Sequence, residues 1–240
     1  MVGKQLNKII VISPHRDDAV ISIGDYIFTN FEEVVVLNVF TESISAISNI
    51  PKEKEVVPKI RKHEDQEVSR IYGFKFIDGH FPDTSLRGIN WFDQSIPVDK
   101  TLLNKVSNWI DSKLDKILTK NCILFIPAAY GLHHDHYLCL LSFAENKLLR
   151  KMKKIKFRVY CDQPYYFRDK LFHKGHEYLK QHGQFNSHIF NTRSKENMLK
   201  IYKSQLTDDR INLLTKVIGT ECFWEVDLIF FIQSKQKLIS

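Results

Sequence analysis

Two short stretches concentrate the side chains able to do chemistry in this sequence: His15-Arg16-Asp17-Asp18 near its start and His133-His134-Asp135-His136 past its middle. Imidazole and carboxylate are usual ligands of catalytic zinc, where two histidines and one acid hold the ion and a further position stays open for water. Bound in that way, water has its pKa lowered to about 7 and becomes a nucleophile. The two stretches offer more than an ion needs. A spare carboxylate can accept the proton of the water, and a spare imidazole can stabilise an oxyanion or protonate a leaving amine. Together they make a full set for metal-assisted hydrolysis. Singly each says less, since Asp17 and Asp18 could cap a helix and residues 133–136 could be a polar turn.

Both stretches follow apolar runs, Ile9, Ile10, Val11 and Ile12 in one case and residues 122–126, closed by Pro127, in the other. Such runs read as buried strands, and each leads into a helical pattern. Turns at the ends of parallel strands open on one side of a sheet, the side where open α/β sheets bind ligands, so the two turns can meet. Residues 18–30 read as a helix with Ala19, Val20, Ile23, Tyr26 and Ile27 on one face, and 33–40 as a second strand parallel to the first. Residues 41–58 form a long polar connection of a kind that often serves as a lid. The helix over 59–72, ended by Gly73, sets Arg61 and Glu64 on or beside its inward stripe, where an unpaired charge is costly. Either they pair with each other or they face a ligand.

Further on, the pattern gives a strand over 74–77, an irregular segment 78–99 with Asp83, Arg87, Trp91 and Phe92, a helix over 100–119, and the strand 122–126. A helix over 137–152, a strand over 157–161, helices over 194–206 and 208–218 with Ser194 and Asp208 as N-caps, and a strand over 223–232 complete the reading. Residues 162–192 show little pattern, and His173 and His176 within them, with no acid or cysteine close by, read as surface residues. The expected fold is α/β, a Rossmann-like three-layer sandwich with a mostly parallel sheet, in one domain over 1–240.

Composition narrows the function classes. An apolar share of 43% and a charged share of 26% in 240 residues are those of an ordinary globular chain with a sizeable core. No apolar stretch approaches the roughly 20 residues of a membrane span, and the N-terminus lacks a cleavable signal pattern, so a cytoplasmic location is expected. Cys122, Cys139, Cys161 and Cys222 are scattered among apolar neighbours, as buried free thiols in a reducing compartment would be. The formal charge of +7 draws on the basic run 147–156, read as the solvated end of a helix. No nucleic-acid partner is expected, and a homo-oligomer is left open.

At its two reactive stretches the chain resembles the PIG-L/LmbE-like family of zinc-dependent N-deacetylases, which remove acetyl groups from N-acetylated sugars. The resemblance rests on Pro14-His15-x-Asp17-Asp18 and His133-x-Asp135-His136. It extends to Arg61-x-x-Glu64 with Gly73 beyond, to Asp83, and to Tyr202-x-Ser204-Gln205. It implies the LmbE-like fold, Zn2+ or in the cell Fe2+ held by His15, Asp18 and His136, and Asp17 as the base that activates the zinc-bound water. His133 would stabilise the oxyanion, Asp135 would orient an imidazole, and His134 would be incidental. Arg61 and Asp83 become candidate contacts to sugar or phosphate groups. Arg16 stands where many members have Pro, and Ala19 where many have Glu; Arg16 beside the site would favour an anionic N-acetylated sugar.

Two other readings stay open. The same two-histidine, one-carboxylate set could hold iron in a non-haem oxygenase, although the spare acid argues against it. A non-catalytic module binding a polyanion or sugar would have no need of both acids and all three histidines.

Overall fold

The computed structural model describes residues 8–47, 49–93, 95–119, 122–131, 133–144, 155–164, 181 and 183–226. Its first strand, β1 (Lys8–Ser13), alternates strictly: Ile9 and Val11 face one side, Ile10 and Ile12 the other, and all four are fully buried. A strand apolar on both faces must be covered on both, and that requirement builds the layers.

On one face lie α4 (Lys100–Ile117), with Leu102, Val106, Ile110 and Leu114 at helical spacing, and α5 (His134–Ala144). The other face is covered by α1 (Asp18–Asn30), α2 (Val57–Tyr72) and α6 (Thr192–Leu199). The result is a mostly parallel, mixed sheet between helices, as the sequence predicts.

Among the described residues the sheet has seven strands, in the order β3, β2, β1, β4, β5, β7, β6. Parallel pairing joins β3 (Lys75–Asp78), β2 (Glu33–Asn38), β1, β4 (Ile123–Pro127) and β5 (Lys156–Tyr160). At the far edge β7 (Thr220–Val226) pairs antiparallel with β5, and β6 (Gly183–Ile189) pairs antiparallel with β7. From β1 the chain winds outward to β2 and β3, then returns to β4 on the other side. The crevice between the ends of β1 and β4 is therefore the topological switch point.

Most elements match the reading within two residues, and Gly73 ends α2 in the left-handed conformation, φ 75°. Several do not. Helix α5 begins at His134, so the second histidine stretch is its first turn and not a loop before it. The irregular segment 78–99 holds a one-turn helix, α3 (Thr84–Arg87). The strand β6 sits inside the stretch read as patternless. The helix predicted over 194–206 ends at Leu199, and its N-cap is Asn191, whose side chain accepts from the Ser194 N–H. Thr207, not Asp208, caps α7 (Asp208–Asn212), which continues as a π-helix over Leu213–Ile218. All four cysteines are buried and none forms a disulfide. Residues 145–152 of the predicted helix, most of the basic run, His173 and His176, and the strand beyond 226 lie outside the described residues.

Candidate active site

The turn after β1 and the first turn of α5 meet at the switch point. His15 Nδ1 lies 3.0 Å from Asp18 Oδ2, and His136 Nε2 lies 3.1 Å from the same oxygen. These three donors fit a first-row divalent ion, because ligands at 2.0–2.1 Å in a tetrahedron stand about 3.3 Å apart. The far nitrogen of each ring is held by another acid: His15 Nε2 is 2.9 Å from Asp135 Oδ2, and His136 Nδ1 is 3.3 Å from Asp162 Oδ1. A metal-binding histidine almost always has such a partner, which fixes its tautomer and ring plane. A second group, His15, His133 and Asp135, also brings its donors together. It fits less well, since Asp135 is fully enclosed and already accepts from Arg87, from His15 and from the Thr84 N–H at 3.0 Å.

The electrostatics point the same way. Burial pushes the His136 imidazole down, but Asp18 and Asp162 outweigh it and raise its pKa to about 9. Burial also opposes the charged form of His15, and Asp18 and Asp135 again win, holding its pKa well above the usual value. Asp135 is held at about 2 against its burial, chiefly by the hydrogen bond and charge of His15. Three carboxylates, one of them paired with Arg87, around two imidazoles leave a surplus of negative charge when the imidazoles are neutral, and a divalent cation would supply the charge that protons otherwise supply. His133 behaves oppositely: burial, then the charges of His15 and His136, press its pKa well below the usual value, so it is neutral. The Asp135 N–H donates to its Nδ1 at 3.2 Å, leaving the proton on Nε2.

Asp17, next to this centre, lines the adjoining cavity and is gripped by Arg61, whose Nη2 donates to Asp17 Oδ1 at 2.6 Å. The mutual pair considered for Arg61 and Glu64 is not what forms. Glu64 accepts from the Ser204 N–H and hydroxyl, both at 2.7 Å. Tyr202 donates to Asp65, and Gln205 to the Ser45 carbonyl, so Tyr202-x-Ser204-Gln205 fastens α2 and the 41–56 connection to the cavity wall. Asp83 lines the cavity too, where it caps α3 by accepting from the Leu86 N–H and the Ser85 hydroxyl. The His134 ring lies against the Asp93 carbonyl.

Arg16 requires a correction. It does not face the cavity: its Nη1 donates to Asp65 at 2.6 Å and to Asp78 at 2.8 Å, its Nη2 to Asp78 at 2.9 Å, and it is 3% exposed. A guanidinium neutralised by two acids under that much protein cannot select an anionic substrate. Asp162 and Arg87 were not assigned as site residues from the sequence. Asp162 had a readable signal, since it follows a strand parallel to β4 and so must emerge at the same end of the sheet.

The cavity beyond these residues has a volume of about 910 Å³. Its lining combines the polar and charged groups above with apolar side chains, among them Ile44, Leu206, Leu213, Leu214, Val217 and Ile218. Among the described residues no helix is long and apolar enough to cross a membrane.

Fold and site define an α/β protein with a His/Asp metal-type centre at the switch point of its sheet. The profile of the GlcNAc-PI de-N-acetylase family, PIG-L, matches residues 10–145, more than half of the chain, and the chain belongs to that family. No curated protein matches it. Solved structures with the same fold include a deacetylase of teicoplanin biosynthesis in complex with teicoplanin, 19% identical over 92% of this chain and 98% of that one, TM-score 0.68. An antimicrobial pseudoaglycone deacetylase is 20% identical over 94% and 99%, TM-score 0.65. The N,N'-diacetylchitobiose deacetylase of Pyrococcus horikoshii is 14% identical over 95% and 86%, TM-score 0.57.

Proposed function

We propose that this chain is a zinc-dependent N-deacetylase that hydrolyses the acetamide of an amino sugar or sugar conjugate, with residues 1–240 forming one domain. The observation that carries the reading is the meeting of two turns distant in sequence. They bring His15, Asp18 and His136 together and leave Asp17 and His133 over, at one cavity. Family membership and the deacetylases that share the fold support it. One of those neighbours is a zinc-inhibited form of a teicoplanin deacetylase, which supports a divalent ion; Fe2+ would be held by the same donors.

His15, Asp18 and His136 would hold the ion, which when bound acidifies water and polarises the acetyl carbonyl. Asp17 accepts the proton of the attacking water, its carboxylate already aimed by Arg61. The water oxygen adds to the carbonyl carbon, and His133 donates from Nε2 to the oxyanion that develops. The C–N bond then breaks, the nitrogen takes a proton back from Asp17, and acetate and a free amine are released. Asp135 and Asp162 keep the two ring planes fixed, while Asp83 and Arg61 stand where sugar hydroxyls would lie. The apolar side chains of the lining suit a sugar that carries an apolar group.

The test is acetate release from free N-acetylglucosamine, its octyl and aryl glycosides, and nucleotide-linked forms, with and without a chelator. Chelator-sensitive release, with KM lowest for the apolar glycosides, is the expected result. No release from any of these by zinc-loaded protein would reject the reading.

A further inference from the structure

Helix α1 is broken. Its front half carries Asp18 and is continuous with Asp17, whose carbonyl accepts from the Ile21 N–H at 2.8 Å; at Ile23 the backbone leaves helical geometry, φ −141° and ψ 19°. A break orphans carbonyls behind it and N–H groups ahead of it. Here both are met by one fully buried ion pair. Lys195, from α6, donates to the Val20 carbonyl at 2.7 Å, to the Ile21 carbonyl at 2.8 Å and to Glu221, which uses all three of its protons. Glu221, from β7, accepts from the Asp25 N–H at 3.0 Å and the Tyr26 N–H at 2.7 Å. A cation thus closes the front half and an anion opens the rear half, each the sign its helix end favours. Gly24 lets α6 approach this closely, since a Cβ there would come within 2.7 Å of Met198 Sδ.

The front half is little more than a turn, too short to hold a helical shape unaided. At its other end the Ser13 hydroxyl accepts from the Ala19 N–H at 3.0 Å and Asp18 accepts from the His15 N–H at 2.8 Å, while Arg61 and His136 hold the Asp17 and Asp18 carboxylates themselves. We infer that Lys195 and Glu221 are positioning residues that splice the broken helix and so set the angle at which Asp17 and Asp18 enter the site. The break frees the front half from the direction that packing on the sheet imposes on the rear half, and the splice then fixes it. This rests on the reading of Asp17 as base and Asp18 as ligand. The pair also contributes stability, since it satisfies four buried backbone groups; a role in stability alone would leave kcat and zinc affinity unmoved in a variant that still folds.

The experiment is the double variant Lys195→Met/Glu221→Met in the full chain, assayed well below its melting temperature. We expect cooperative folding, kcat reduced about 10- to 100-fold with KM within about 2-fold, and zinc bound about 10- to 100-fold more weakly in chelator competition, the size usual for residues that orient ligands. Amide exchange at residues 20–23 should be at least about 10-fold faster. Values of kcat, zinc affinity and exchange all within about 2-fold of the parent would overturn the inference. Should the double variant not fold, Glu221→Gln, which keeps an acceptor and removes the charge, is read by the same measurements and the same criterion. If the parent protein released no acetate at all, the proposed function would fail, while zinc affinity and exchange would still decide the splice.

Discussion

Two clusters of buried charge lie along one helix and are built on opposite plans. At the break in α1, Lys195 and Glu221 are sealed and equal in number, and all three protons of the ammonium and both oxygens of the carboxylate have partners. At the leading end of the same helix, acids and imidazoles are unequal in number, share oxygens, and open on a cavity. A closed, balanced cluster holds geometry. An open cluster short of positive charge is built to take up something from outside, and its imbalance is what gives it chemistry.

The comparison breaks most visibly at Asp17. Asp17→Asn removes a base and no ligand, so kcat should fall by about 10²- to 10⁴-fold with zinc content unchanged by metal analysis. His136→Ala should lose both zinc and activity. Asp17→Asn keeps an acceptor for Arg61 but removes the charge that neutralises its buried guanidinium, so the melting temperature should fall by a few degrees. A normal turnover rate in the Asn variant would show that the open cluster's surplus acid is not used.

A middle-sized effect separates the clusters by pH. His136, with a folded pKa of about 9, sits above the roughly 6.5 of an exposed histidine, so its contribution to stability is complete below about 6.5 and is lost as pH rises through 9. Asp135, at about 2, lies below the roughly 3.9 of an exposed aspartate and contributes fully above that value, losing its contribution as pH falls through 2. Metal-depleted protein should therefore lose about 2–4 kcal/mol between pH 6.5 and 9, measured by urea unfolding. Zinc should flatten that slope, because the cation replaces the protons. A slope unaffected by zinc would mean that the two do not compete for the same donors.

How much of this the sequence revealed depended on whether the cause was local. The parallel half of the sheet was legible because Ile9 to Ile12 and residues 122–126 are apolar on both faces, a pattern that allows little else. The open cluster was legible because its side chains are too reactive to be filler. Edge strand β6 was not: Gln184, Asn186 and His188 make one face polar, and the other carries only Phe185 and Ile189 alongside Gly183 and Ser187, too few apolar residues to show a pattern. Lys195 was missed for a different reason. A lysine is read as solvated by its type, although its spacing from Met198 and Leu199 puts it on the buried face, and nothing near it in sequence announces the carbonyls of Val20 and Ile21 or the carboxylate of Glu221. Arg16 misled by adjacency, for a turn residue beside a ligand can point away from it, as this one does into Asp65 and Asp78.

The smallest effect is the sharpest discriminator. Asn191 caps α6, the helix that delivers Lys195, by accepting from the Ser194 N–H at 3.0 Å. Asn191→Ala removes that bond and should cost about 1 kcal/mol, read by urea unfolding. It leaves the Asn191 backbone N–H on Asp25, 3.4 Å away, and leaves all three bonds of Lys195. Turnover and zinc affinity should then stay within about 2-fold of the parent, although the helix is weaker. If kcat instead fell as far as in the Lys195 and Glu221 double variant, the geometry of the leading turn would depend on the stability of α6 as a whole, and the sealed pair would be one contact among many.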